Sequence, residues 1–217
     1  MIDRLHYISQ SSEKISHLEA IEQVLNAGGK WIQLRVKDLP ESEVLTLAKA
    51  ANELCKKFAA HLIINDFPAV SKAVSAYGLH LGLNDMSITK ARLITGKEIK
   101  IGGTANTLQD IKKRVAEGAD YIGLGPYRFT NTKKNLSPVL GLEGYQKIME
   151  QVKKEGIITP IIAIGGIAPE DLPEILKTGL HGVAVSGALT GKTDARERIK
   201  NMYAELEKHP ASHTSKL

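Results

Sequence analysis

Short strand-like runs alternate with helical segments along the whole of a 217-residue chain, and that rhythm leaves few folds open. Apolar or alternating runs occur at Leu5 to Ser9, Trp31 to Val36, His61 to Asn65, Gly78 to Gly82, Ile99 to Gly103, Asp120 to Leu124, Pro160 to Ile164 and His181 to Ser186. Between them apolar residues return at three-and-four spacing. Examples are Val44, Leu47, Ala48, Ala51 and Leu54, then Leu108, Ile111, Val115 and Ala119. That period keeps one face of a helix apolar, while the short runs suit strands. A helix between every two strands returns the chain to start the next strand in the same direction, so the sheet is expected to be parallel. Eight such units predict an α/β protein, a single (β/α)8 TIM barrel, because a doubly wound sheet normally has fewer strands and does not close. A last helix over Asp194 to Glu207 completes it, and His209-Pro210 ends that helix. One barrel domain is therefore expected over residues 1–208, followed by a polar, frayed tail over 209–217.

With 42% hydrophobic residues the chain can bury a core of that size. Its formal charge of +5 is spread along the sequence with few aromatic residues between the cations, which favours small anionic partners over nucleic acid. The single cysteine, Cys55, lies on the apolar stripe of the second helix and reads as a packing residue. Asp3, Arg4 and His6 interrupt any opening signal peptide, and no run is long enough to span a bilayer, so a soluble, cytoplasmic protein without membrane partners is expected. The chain ends in Ser215-Lys216-Leu217, the pattern of a peroxisomal address, on three residues that arise easily by chance. Assembly into a homo-oligomer is left open.

In a barrel of this kind the active site lies at the C-terminal ends of the strands, and those ends are polar here. Gln33, Arg35 and Lys37 are two residues apart, so on a strand they would share the inward face, where two cations and an amide need a ligand or counter-ion. Asp66 and Asp85 end adjacent strands. Together they suit a hard cation such as Mg²⁺ shared with substrate phosphates, and singly either could cap the helix that follows. Strand six opens into a long loop, Gly123 to Lys134, where Thr130 and Thr132 offer hydroxyls and Lys133 a compact cation suited to phosphate. Ile164 to Ile167 (IGGI) and Val185 to Ala188 (VSGA) follow strands seven and eight, where backbone N–H groups commonly hold phosphate; phosphate-binding turns are expected there. His80 lies within strand four and reads equally as a satisfied core histidine. No nucleophile elbow or zinc-ligand spacing is present.

Taken together these elements resemble the thiamine-phosphate synthase (thiamine-phosphate pyrophosphorylase) family over essentially the whole chain. QLRVK at Gln33 to Lys37, IIND at Ile63 to Asp66, HLGLND at His80 to Asp85, GGTAN at Gly102 to Asn106, TNTKK from Thr130, and the IGGI and VSGAL turns occur in that family's order. The resemblance implies a transferase of thiamine biosynthesis. It would join 4-amino-2-methyl-5-(diphosphooxymethyl)pyrimidine to 4-methyl-5-(2-phosphooxyethyl)thiazole, releasing diphosphate by a dissociative, Mg²⁺-assisted route. It further implies that Gln33, Arg35, Lys37, Asn65, Thr104 and Lys133 hold the pyrimidine diphosphate, with Lys133, Arg35 and Lys37 catalytic. Asp66 and Asp85 would hold Mg²⁺, and Thr130, Asn131, Thr132, Gly166, Ser186 and Gly187 the thiazole phosphate. Departures from the pattern are Phe67 where Arg is common, Leu83 for Gln, Thr104 for Ser, Ala105 for His and Gly187 for Ser. The alternative readings are a thiazole tautomerase-like enzyme, which would not need the combined Gln-Arg-Lys, Asp pair and Thr-Lys set, and a non-catalytic regulatory barrel.

Overall fold

A computed structural model of the chain describes residues 1–129 and 138–210. The order of elements is β1 Leu5–Ile8, α1 His17–Asn26, β2 Trp31–Leu34, α2 Glu41–Lys57, β3 His61–Asn65, α3 Pro68–Ala73, β4 Gly78–Leu81 and α4 Ile88–Thr95. It continues with β5 Lys100–Ala105, α5 Leu108–Ala116, β6 Tyr121–Leu124, α6 Gly141–Lys154, β7 Ile161–Ala163, α7 Leu172–Lys177, β8 Gly182–Val185 and α8 Ala195–Lys208. The strands pair in sequence order, all parallel, and β8 returns to β1 through Leu5 opposite Val183 and Tyr7 opposite Val185. Closure leaves no sheet edge, and the (β/α)8 barrel read from the alternation is the fold the chain adopts.

Two apolar shells hold it. Alternate strand residues such as Tyr7, Ile32, Leu34, Leu62, Ile64, Ile122 and Leu124 face outward and pack under the helices, where Val44, Ala48, Ala51 and Cys55 line α2. Their neighbours face inward, and Trp31, Ile63, Tyr121, Ile162 and Ala184 fill the barrel. Cys55 is buried, and burial pushes its thiol up to about 12, as a packing residue requires. Local chemistry sets several helix starts. Ser16 with Glu19 closes a capping box on α1, and Thr107 with Asp110 does the same on α5.

The interior is crowded enough that glycine decides what fits. A Cβ on Gly102 would collide with the Tyr121 ring from the neighbouring strand, and one on Gly123 would lie 3.2 Å from His80 Cε1. The ring and the imidazole occupy space that these glycines leave open. Strand β5 runs two residues beyond the apolar run that announced it, so Thr104 belongs to the strand and points inward. Among the described residues no helix is long and apolar enough to cross a membrane.

Candidate functional site

The polar cluster sits where β2 to β5 end. Gln33 Nε2 donates to Asn65 Oδ1 at 2.8 Å, and both side chains are buried, so each amide fixes the other's orientation. Arg35 and Lys37 do not extend that row along a strand. β2 stops at Leu34, and both cations lie on the segment that follows, Arg35 partly buried and Lys37 exposed. The two cations reach the rim from a loop anchored by Arg35 N–H to Ser9 Oγ at 3.2 Å, with Val36 between them packed in the outer core. Ser9 Oγ also meets His17 Nδ1 at 2.9 Å, and burial, then the Arg35 charge, lowers the His17 pKa.

Asp66 follows β3 with φ at +70°, a conformation that an aspartate tolerates better than most residues. Its N–H donates to His80 O at 2.9 Å, which ties it to β4. Its carboxylate pairs with Lys37, and the Asp85 carboxyl lies close enough to raise its pKa. Asp85 in turn accepts from Gly82 N–H at 2.6 Å. Neither aspartate caps a helix. Ser87 caps α4 through Lys90 N–H, and α3 begins at Phe67 without a side-chain cap. Burial, then the Asp85 carboxyl, raises the Asp66 pKa against the opposing pull of Lys37. Two carboxylates brought together beside cations form a site that a hard divalent cation relieves.

Across β5, Thr104 is buried with Oγ1 3.1 Å from His80 Nε2, and the other imidazole nitrogen meets Tyr121 Oη at 3.1 Å. Arg114 braces this side from α5. It is buried, donates to Gly82 O at 2.7 Å and Thr104 O at 3.3 Å, and pairs with Glu117 at 3.0 Å. Glu117 also accepts from Ile88 N–H at 3.1 Å, so the starts of α4 and the ends of β4 and β5 hang on one ion pair.

On the opposite rim Gly165 and Gly166 have φ of +91° and +72°. A Cβ on Gly166 would stand 2.5 Å from Arg128 Cγ. Arg128 is fixed by Asp171 at 2.6 and 2.8 Å and by Gly166 O at 3.0 Å. After β8 the chain makes a single turn in which Leu189 and Thr190 N–H groups both bond Ser186 O. Ser186 Oγ is buried without a hydrogen-bond partner among the described residues, and Gly187 lies open except toward Gln10. A buried hydroxyl left unpaired beside a glycine turn fits a site completed by a bound acceptor or donor. Thr130, Asn131, Thr132 and Lys133 lie outside the described residues.

The family model described as thiamine monophosphate synthase matches residues 5–189. A thiamine-phosphate synthase of Bacteroides fragilis is 48% identical over 198 residues, covering 91% of this chain and 97% of that protein. The chain belongs to the thiamine-phosphate synthase family. As a member it is an enzyme of thiamine biosynthesis and a transferase. The thiamine phosphate pyrophosphorylase of Pyrococcus furiosus superposes with a TM-score of 0.79 at 32% identity, covering 94% of this chain and 96% of that one. A 3-hexulose-6-phosphate synthase at 16% identity and TM-score 0.67 covers 94% of this chain and 99% of its own, and shares the fold.

Against the thiamine-phosphate synthase pattern two departures now have a physical reading. Ala105 is buried among outward-facing residues, so the barrel lumen does not register that substitution. Phe67 packs partly buried against the same outer core, where an arginine would have to leave. Tyr121, His17 and the Arg114–Glu117 pair were not singled out from sequence. Their partners lie far along the chain, and only Arg114, a cation three residues from Ile111 on an otherwise apolar helix face, carried a signal. Among the described residues no group of three or more His, Cys, Asp or Glu could hold a metal by itself, so any cation at Asp66 and Asp85 takes its remaining oxygens from elsewhere.

Proposed function

We propose that the chain forms thiamine phosphate by transferring the (4-amino-2-methylpyrimidin-5-yl)methyl group of the diphosphate substrate to the nitrogen of the thiazole phosphate, with residues 1–208 acting as one catalytic domain. Gln33, Arg35, Lys37, Asn65, Thr104 and Lys133 hold the pyrimidine diphosphate. Asp66 and Asp85 hold Mg²⁺, while Thr130, Asn131, Thr132, Gly166, Ser186 and Gly187 take the thiazole phosphate. The observation that carries this reading is the Asp66–Asp85 carboxylate pair beside Lys37 and Arg35, with the Asp66 proton affinity raised. Mg²⁺ commonly binds one or two carboxylates and completes its shell with substrate phosphates, which suits a pair rather than a cage. When bound it would neutralise diphosphate charge.

The reaction breaks the bond between the pyrimidine methylene carbon and the diphosphate oxygen, and the electron pair leaves on diphosphate. The aminopyrimidine delocalises the positive charge left behind, and the thiazole nitrogen lone pair forms the new carbon–nitrogen bond. That nitrogen carries no proton, so the chain needs no general base. Arg35, Lys37 and Lys133 stabilise charge growing on the departing oxygens, an interaction stronger in the transition state than before it. Gln33 and Asn65, already locked to each other, orient the pyrimidine, and the Ser186 turn sets the thiazole at attack distance. A cytoplasmic site and small phosphorylated partners agree with this chemistry.

Diphosphate release with both substrates present tests the reaction directly. Titrating it with Mg²⁺ in Asp85→Ala should move the half-saturating metal concentration upward. A protein that releases no diphosphate, or an unmoved midpoint, removes the transferase reading or the metal assignment respectively. A tautomerase-like enzyme would turn over the thiazole phosphate alone.

A further inference from the structure

The interior of the barrel contains a three-membered hydrogen-bond chain, from Tyr121 Oη to His80 Nδ1 at 3.1 Å and from His80 Nε2 to Thr104 Oγ1 at 3.1 Å. Tyr121 is fully buried, and His80 is the one hydrogen-bond partner of its hydroxyl among the described residues. A buried hydroxyl hydrogen must find an acceptor, and burial holds the phenol far above its ordinary pKa, so it keeps that hydrogen. Nδ1 of His80 therefore accepts, and a neutral imidazole that accepts at Nδ1 carries its proton on Nε2. Nε2–H then donates to Thr104 Oγ1, which leaves the threonine hydrogen free to point out of the chain. The reverse tautomer would draw the threonine hydrogen inward and present lone pairs to whatever occupies the rim. An anion needs the first arrangement.

The surroundings keep the phenol in place. Trp31 meets the Tyr121 ring edge-on at 5.7 Å and His6 at 5.4 Å, and the missing side chain of Gly102 makes the space that the ring fills. We propose that Tyr121 is a positioning residue that fixes the His80 tautomer and thereby turns the Thr104 hydroxyl hydrogen toward the diphosphate of the pyrimidine substrate. The proposal rests on the reading of Thr104 as a ligand to that substrate. Tyr121 itself touches no substrate and acts through two side chains.

The parent protein labelled with ¹⁵N-histidine should show His80 protonated on Nε2 in a long-range proton–nitrogen correlation spectrum, without substrate and without mutation. Protonation on Nδ1 overturns the proposal, whatever the variants do. Tyr121→Phe keeps the ring and removes the donor. It should raise the Michaelis constant for the pyrimidine diphosphate about tenfold, the worth of one directed hydrogen bond, and leave that for the thiazole phosphate unchanged. In a Thr104→Val background the same substitution should add nothing. An equal rise for both substrates, or the same rise with Thr104 already replaced, would make Tyr121 a packing residue and overturn the proposal. Thr104→Val that leaves the pyrimidine diphosphate constant unchanged would remove the underlying reading of Thr104, and the tautomer would still be decided by the nitrogen spectrum.

Discussion

Asp66 and Asp120 sit at opposite ends of the barrel with similar side-chain exposure, 15% and 22%, and their surroundings treat them in opposite ways. Asp120, just before β6, accepts from Ile101 N–H at 2.8 Å, Arg92 at 2.7 Å and Lys100 at 3.1 Å. Burial pushes its pKa up, but the Ile101 N–H, Arg92 and Lys100 outweigh it and hold the carboxyl below its usual range. Asp66, just after β3, has one lysine and a second carboxyl, and its pKa is raised. The pattern extends beyond this pair. At the lower end Arg4 gives its guanidinium to the carbonyls of His181, Leu206 and His209, whereas at the upper end Ser186 Oγ is buried without a partner among the described residues. At the lower end the Asp120 carboxylate and the Arg4 guanidinium are satisfied by the protein itself. At the other, the Ser186 hydroxyl lacks a partner among the described residues and Asp66 faces a second carboxyl, as expected of the proposed substrate site.

Replacing Asp66 separates the two ends most sharply. Because its folded pKa is raised, its favourable contribution exists below the unfolded pKa and is lost as the pH rises through the folded one, so above the unfolded pKa the carboxyl is a burden. Asp66→Asn keeps the backbone conformation and removes that burden together with the proposed metal ligand. Turnover should fall on the order of 10²–10³, while the melting temperature stays level or rises. Adding Mg²⁺ and diphosphate should raise the melting temperature of the parent chain and leave the variant unmoved. A variant that melts earlier and still turns over would place Asp66 with the structural aspartates.

The lower end predicts an acid limit. His6 is buried against Trp31, rings stacked at 4.4 Å, with Nε2 2.7 Å from Asp3 O. Burial lowers its pKa to about 3. The unfolded chain takes up a proton near the ordinary value of about 6.5 and the folded chain does not, so stability is full above that pH and is lost as pH falls toward 3. About 2 kcal/mol should disappear between pH 7 and pH 5, read from denaturant unfolding at the two values. His6→Phe, which keeps the stack, should flatten that slope. An unchanged slope would mean that other groups set the acid limit.

Much of the barrel was legible because its strands are short apolar runs and its helices repeat at three and four, and both periods survive closure. At the rim, residue types that are costly to bury alone, such as Gln33, Asp66 and Asp85, pointed to the strand ends where the structure gathers them. The errors share a physical cause. Strand ends depend on pairing with neighbours, so Arg35 and Lys37 were placed on a strand that stops at Leu34, and Thr104 was placed after a strand that contains it. The capping alternatives for Asp66 and Asp85 fell away only because Ser87 and the bare start of α3 were visible in three dimensions. Tyr121 and Arg114 act on residues 41 and 32 positions away, and a periodic pattern has no memory of such distances.

Asp120→Asn tests the satisfied end at smaller scale. Size and one acceptor remain, but Arg92 and Lys100 lose their counter-ion, which should cost about 1–2 kcal/mol of stability with turnover at 25 °C retained. Loss of turnover in a folded variant would break the separation between the two ends. Asp120 has its pKa depressed, so the difference between parent and variant should shrink as pH falls through the folded carboxylate range.

Gly166 gives the smallest expected effect and the finest test of the open end. Its φ of +72° costs an alanine about 1 kcal/mol, and the new Cβ would press on Arg128, which Asp171 holds by two contacts. The carbonyl of Gly166 is already taken by Arg128, so a shift of that arginine carries the turn with it. Gly166→Ala should raise the Michaelis constant for the thiazole phosphate about fivefold and leave that for the pyrimidine diphosphate unchanged, since the strain falls on the turn after β7 and not on the β2 to β5 rim. Shortening the arginine as well, in Gly166→Ala with Arg128→Ala, removes the steric half of the penalty and leaves only the backbone half, so part of the affinity should return. Equal rises for both substrates would instead mean that the two rims respond as one body, and the division between a pyrimidine side and a thiazole side would have to be redrawn.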